Sequence, residues 1–232
     1  MTADQLDLPL PSAEAIAEFG DSLPKAQRYV ELLATDGVTR GLIGPRETAR
    51  LWDRHLLNCA LVAELVPDQG EVVDIGSGAG LPGVVLAMLR PRLQVVLLEP
   101  LLRRSVFLEE CVNALDLPNA TVLRARAEEK AASGISADVA TARAVAPLDR
   151  LVGWAAGLLR PGGQLLAIKG QSAAAELEAA GPVLSALGVR SAEVLRAGHG
   201  RVVSATTIVR VVMGGHGREE RAGAQRSRRG VA

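Results

Sequence analysis

The sequence predicts an α/β fold, a doubly wound and mostly parallel sheet that ends in an antiparallel hairpin and is preceded by a helical N-terminal segment. Three observations predict it. After Gly70, short runs rich in Val, Ile and Leu alternate with longer stretches of helical period, the order that yields parallel strands joined by crossover helices. The runs are apolar at successive positions, as in Val95-Val96-Leu97-Leu98, which suits strands covered on both faces. A glycine-rich turn, Gly76-Ser77-Gly78-Ala79-Gly80, joins the first run to the first helix and lets the backbone turn sharply there.

The elements follow in order. Between residues 13 and 66 apolar residues recur at three and four positions, first Ala15, Ile16 and Phe19, then Ala26, Tyr29, Val30 and Leu33, then Leu51, His55, Leu56, Cys59 and Val62. This predicts helices without strands over residues 1–66. Gly44-Pro45 separates the earlier helices from one opening near Glu47, and Pro67-Asp68-Gln69-Gly70 closes it. Strands are predicted at 71–75, 94–98, 121–125, 138–142 and 164–168, with helices at 83–89, 103–115 and 147–159 between them. A further helix at 172–187 precedes two strands at 192–197 and 201–212, joined by Gly198-His199-Gly200. The sheet-forming domain is thus expected over 67–213. Residues 214–232 have almost no large apolar side chains and are expected to be disordered.

Composition excludes several function classes. The chain has 232 residues, 48% hydrophobic and 22% charged, the balance of a globular protein with one domain plus attachments or at most two small domains. The apolar runs at 81–89 and 93–98 are cut by Arg90, Arg92 and Glu99, far short of the ~20 residues of a membrane span. The N-terminus carries Asp4, Asp7, Glu14 and Glu18 without the basic and apolar parts of a secretory signal, so a cytoplasmic protein with no membrane partner is expected. Cys59 and Cys111 lack the spacing of a zinc site; both read as buried thiols, and no metal is predicted. Formal charge is zero overall, but residues 214–232 carry five arginines against Glu219 and Glu220, a local +3. Such a tail suits polyanion contact, which adds affinity without sequence choice. With only 2% aromatic residues, base-stacking platforms are scarce.

The sharpest feature is the buried run Val72-Val73-Asp74-Ile75 entering Gly76-Ser77-Gly78-Ala79-Gly80-Leu81-Pro82-Gly83. Glu99 follows the second strand directly, where a carboxylate of this architecture meets ribose hydroxyls. A nucleoside-type cofactor is implied. Gly78-Ala-Gly80-Leu-Pro-Gly83 formally satisfies the dinucleotide fingerprint, so a nicotinamide oxidoreductase is the rival enzyme. It is disfavoured because the sole tyrosine, Tyr29, lies before the loop and no Tyr-x-x-x-Lys pair exists. A nucleotide-responsive RNA-binding protein without catalysis is the rival of another class. Asp74 two residues before the first glycine, Arg160-Pro161-Gly162-Gly163 before the fifth strand and the closing hairpin resemble the Rossmann-like, class I methyltransferases and favour S-adenosyl-L-methionine as the cofactor.

Four stretches carry a closer resemblance: Asp74-Ile-Gly-Ser-Gly-Ala-Gly-Leu-Pro-Gly83, Arg54-His55-Leu56-Leu57, Arg143-Ala144-Val145-Ala146 and Ala167-Ile168-Lys169-Gly170. The chain resembles, from about Arg28 to Met213, the ribosomal RNA small-subunit methyltransferase G family, also called glucose-inhibited division protein B. Asn58-Cys59 and Gly41-Leu42-Ile43 depart from the family's usual Asp-Ser and Asn-Leu-Thr, and the arginine-rich tail is extra. The resemblance implies transfer of a methyl group to N7 of a guanine in 16S ribosomal RNA, free or in the small ribosomal subunit particle. It further implies cofactor contacts at Asp74, Gly76, Gly78, Gly80, Leu81, Glu99, Ala127, Glu128 and Arg143. Arg54, His55 and Lys169 are candidate substrate contacts. No residue is assigned as a general base: guanine N7 offers a lone pair with no proton to lose, so in-line alignment suffices.

Overall fold

The computed structural model describes residues 8–129, 132, 134–198 and 205–215. Its N-terminal part holds helices and helical turns but no strand among the described residues. Helix α1 (Ala13–Phe19) starts where Ser12 caps the Ala15 amide at 3.2 Å and stops at Gly20, whose φ is +46°, a backbone that glycine adopts without strain. Helix α2 (Leu23–Leu32) buries Ala26, Tyr29 and Val30 on one face, as their three- and four-residue spacing requires. Beyond it the chain stays helical but leaves the regular α winding. Wide turns at Leu33–Gly37 and Leu51–Leu57 and tight turns at Pro45–Arg50 and Leu61–Leu65 flank the short α3 (Asn58–Ala60). These changes of pitch bring His55, Leu56 and Leu57 all to the interior.

The sheet has seven strands in the order β3-β2-β1-β4-β5-β7-β6. Strands β1 (Gly70–Ile75), β2 (Leu93–Leu98), β3 (Ala120–Leu123), β4 (Ala137–Arg143) and β5 (Leu159–Lys169) run parallel. Strand β7 (Thr206–Met213) pairs antiparallel with β5 and with β6 (Val189–Ala197). Helices α4 (Gly83–Leu89) and α5 (Leu102–Ala114) cover one face together with the N-terminal segment, since Phe19, Tyr29, Leu56, Val84, Phe107 and Val72 share one core. Helices α6 (Leu148–Leu158), α7 (Ala173–Ala179) and α8 (Gly181–Ala186) lie on the other face over Val73, Ala140, Leu165 and Val209. Adjacent strand residues therefore supply opposite cores, the physical reason that the central strand runs are apolar at successive positions.

Three sequence expectations are corrected. The helix at 172–187 is two helices, because Pro182 at the start of α8 has no N–H to donate and its ring opposes continuation of α7. Strand β5 starts at Leu159, ahead of the expected 164, because Gly162 and Gly163 carry the chain through an irregularity in the ladder with β4. A Cβ on Gly163 would lie 3.1 Å from the Ala137 and Asp138 carbonyls, so a side chain there would press on backbone of the neighbouring strand. Strand β6 likewise starts at Val189. The expected strand at 201–212 is seen from Thr206; residues 201–204, and the tail from 216, lie outside the described residues. Among the described residues no helix is long and apolar enough to cross a membrane.

Candidate active site at the sheet's switch point

Strand order reverses between β1 and β4, and the loops leaving their carboxyl ends diverge to open a crevice. The loop after β1 is the glycine run. Gly76, Gly78 and Gly80 have φ of +64°, +60° and +96°, and a Cβ on Gly76 would lie 2.8 Å from Val145 in the loop after β4. The two loops touch there, and glycine permits it.

Buried polar groups hold the glycine loop from three sides. Asp74, at the end of β1, accepts from the Ser77 hydroxyl at 2.6 Å, the Gly83 amide at 3.1 Å and the Thr141 hydroxyl at 2.9 Å. The register pairs Asp74 with Thr141, so these two polar residues meet within an otherwise apolar layer. Burial raises the Asp74 pKa to about 6, against the pull of its three donors. Glu99, at the end of β2 and 1% exposed, accepts from the Gly78 amide at 3.0 Å and from the Leu101 amide at 3.0 Å. From the N-terminal segment, the fully buried Tyr29 donates its hydroxyl to the Ala79 carbonyl at 2.5 Å.

The braced loop lines a cavity of about 490 Å³, within the usual range for a small-molecule site. Gly76, Gly78, Leu81, Glu99, Ala127, Glu128 and Arg143 line it, joined by Leu42 and Ile43 from the N-terminal segment and Trp154 from α6. Asp74 and Gly80 do not. Asp74 acts from behind the loop, and Gly80 faces inward, where a Cβ would lie 2.7 Å from the Tyr29 hydroxyl. In this structure both residues support the loop rather than line the cavity.

A second, wider concavity of about 860 Å³ adjoins the first. The two share one wall, Arg143-Ala144-Val145. Ala144 stands in that wall with φ of +55°, a conformation a non-glycine residue adopts at a cost. All three candidate substrate contacts, Arg54, His55 and Lys169, line the second cavity. The Lys169 ammonium is held by the Ala146 carbonyl and by Glu176, both at 2.7 Å, and this pairing draws the Glu176 carboxyl below its usual range. Arg54 is half exposed and reaches Glu47 at 3.4 Å.

His55 is buried, with both ring nitrogens committed. Nδ1 accepts from Arg143 Nη2 at 2.7 Å, and Nε2 lies 3.1 Å from Glu47 Oε2. A guanidinium only donates, so Nδ1 bears no proton and the ring is the neutral Nε2–H tautomer. Burial and the adjacent Arg143 charge lower the His55 pKa to about 4. Cys59 lies 3.9 Å from Arg143 Nη1, and burial raises its thiol to about 11; Cys111 is raised to about 12. Both thiols stay protonated at neutral pH. Glu47, Tyr29, Thr141 and the Leu42-Ile43 pair were not singled out as site residues in the sequence. Only Thr141 left a local sign there, as a hydroxyl inside the apolar 138–142 run.

The family model of rRNA small subunit methyltransferase G matches residues 22–203. The chain belongs to the ribosomal RNA small subunit methyltransferase G family. It is 61% identical over 204 residues to the ribosomal RNA small subunit methyltransferase G of Thermobifida fusca, covering 88% of this chain and 86% of that one. To its namesake in a Nocardioides strain it is 55% identical, covering 93% and 87%. Among solved structures it is similar to a SAM-dependent O-methyltransferase of Thermotoga maritima at a TM-score of 0.52, with 14% identity over 70% of this chain and 67% of that one. At that identity the likeness speaks for the fold. The family match covers the N-terminal segment from α2 onward and the sheet through β6, the parts that line the paired cavities.

Proposed function

We propose that this methyltransferase uses S-adenosyl-L-methionine to methylate N7 of a guanine in 16S ribosomal RNA, with the donor in the glycine-loop cavity and the base in the second. The reading rests on one observation above the others. A nucleoside-sized cavity at the switch point, with a buried carboxylate after β2, shares a single wall with a larger concavity that Arg54, His55 and Lys169 line.

The residues present fit the donor. Gly76 and Gly78 expose backbone without a Cβ at the cavity floor, Glu99 retains acceptor capacity beyond the two amides that it accepts, with Arg104 Nη1 3.9 Å from its Oε2, and Leu98, Ala125 and Ala127 offer an apolar slot for a purine. When bound, the donor supplies an activated methyl on a sulfonium. The chain supplies alignment and exclusion of water, which can contribute about 7 to 11 kcal/mol. No side chain need take a proton, because guanine N7 has none to lose. His55, neutral and bonded at both nitrogens, has no lone pair to spare for that role.

Digestion of 16S ribosomal RNA and of small-subunit particles to nucleosides, after incubation with labelled donor, tests the reading. One labelled 7-methylguanosine per RNA is expected. Label on an exocyclic amine or a ribose hydroxyl would contradict it.

A further inference from the structure

The wall between the cavities is held from the N-terminal segment by a chain of three side chains, Glu47, His55 and Arg143. Glu47 stands in the tight turn Pro45–Arg50, His55 in the wide turn Leu51–Leu57, and Arg143 ends β4. A regular helix from 45 to 57 would place residues 47 and 55, eight apart, about 12 Å apart along its axis. The chain instead breaks its helical path at Arg50, where φ is −116° and ψ 13°, and Glu47 Oε2 lies 3.1 Å from His55 Nε2. The direction of each bond is forced. Arg143 donates to Nδ1, which leaves Nε2–H to donate to Glu47.

Arg143 has five N–H donors. One is spent on His55, and one faces Cys59 Sγ at 3.9 Å. Among the described residues it forms no ion pair, although it lines both cavities. Its remaining donors are thus available at the wall, and their direction is set by what grips Nη2. A long, flexible guanidinium without that grip would lose rotamer freedom on each binding event. With it, the loss is met on folding.

We propose that His55 and Glu47 are positioning residues for the donor, acting through Arg143, which they orient across the wall so that its free N–H groups meet an anionic or carbonyl oxygen of the bound cofactor. The inference rests on the reading of the glycine-loop cavity as the donor site. It assigns to the Arg-His stretch of the N-terminal segment a role in cofactor binding, beyond any contact with RNA.

The test is a double-mutant cycle read by calorimetric titration of the full chain with S-adenosyl-L-methionine, with thermal melts to verify folding. His55→Ala is expected to raise the donor Kd about tenfold, and Arg143→Ala at least as much. The double variant is expected to bind within about twofold of Arg143→Ala alone, because His55 has nothing to position once the guanidinium is gone. His55→Asn, whose Oδ1 replaces Nδ1 as acceptor, is expected to recover binding to within about threefold of wild type. Additive losses in the double variant, or His55→Asn binding as poorly as His55→Ala, would overturn the inference while leaving the donor site intact. Failure of the wild-type chain to bind the donor would overturn both.

Discussion

The two cavities are built in different ways. The floor of the first cavity comes from one short stretch, a strand end, a glycine turn and an acid one strand later, locked by Asp74 and Glu99 from within the sheet, while Leu42, Ile43, Arg143 and Trp154 close its sides. The second cavity is assembled from distant parts: irregular helical turns bring Glu47, Arg54 and His55 against the ends of β4 and β5. Its polar groups are joined in pairs and chains across 88 residues, as between His55 and Arg143. A site that binds one fixed small molecule can be encoded in one motif. The second cavity depends instead on how a separate segment docks against the sheet.

The largest expected effect breaks the first cavity. Asp74→Ala leaves the Gly83 amide and two hydroxyls without their acceptor, and unsatisfied buried donors cost about 1 to 3 kcal/mol each. The two hydroxyls can turn to other acceptors, so a loss of about 2 to 4 kcal/mol in urea unfolding is expected, with Asp74→Asn recovering most of it. Glu99→Ala is expected to weaken donor binding by about 1.5 to 3 kcal/mol in calorimetric titration, the worth of hydrogen bonds to a charged group.

A smaller effect separates the two cavities by pH. The His55 pKa is lowered from 6.5 to about 4 on folding, so its contribution to stability is present above pH 6.5 and is lost as pH falls toward 4. The Asp74 pKa is raised from 3.8 to about 6, so its contribution is present below pH 3.8 and is lost as pH rises through 6. The two oppose each other between pH 4 and 6. Asp74→Asn removes one side, and the variant is expected to gain stability relative to wild type as pH rises from 4.5 to 6.5, by about 1 to 3 kcal/mol given 1.36 kcal/mol per unit. Urea titrations at both pH values measure this. The smallest effect concerns the shared wall. Ala144→Gly relieves a left-handed backbone that costs an alanine about 1 to 2 kcal/mol, offset by about 0.4 to 1 kcal/mol of added freedom in the unfolded chain. Thermal melts are expected to show a gain in stability of about 0 to 1.6 kcal/mol, with slower methyl transfer if the strained wall aligns the two sites.

The contrast also explains what was legible in the sequence. The five parallel strands and the glycine loop stand out because their cause is local: apolar runs such as Val95 to Leu98 and glycines where φ is positive. Glu99 follows from strand position alone. Tyr29 reads as one more core residue in an amphipathic stripe, because its hydroxyl finds Ala79 across 50 residues. Glu47 and His55 are eight residues apart, a spacing at which an ideal helix gives no side-chain contact, and the pitch changes that join them leave no periodic trace. Pro182 did carry a signal for the break between α7 and α8 that the long apolar pattern outweighed.

The central claim is that methyl transfer across the Arg143-Ala144-Val145 wall needs alignment and no base. The single-turnover rate with saturating donor, followed from pH 6.5 to 8.5, tests it most directly. The rate is expected to be nearly flat, and His55→Ala to lower it by less than the ~100-fold usual for loss of an acid or base catalyst. A rate that climbs steeply with pH in the wild type, and loses that dependence in His55→Ala, would contradict the claim and point to an amine or hydroxyl acceptor.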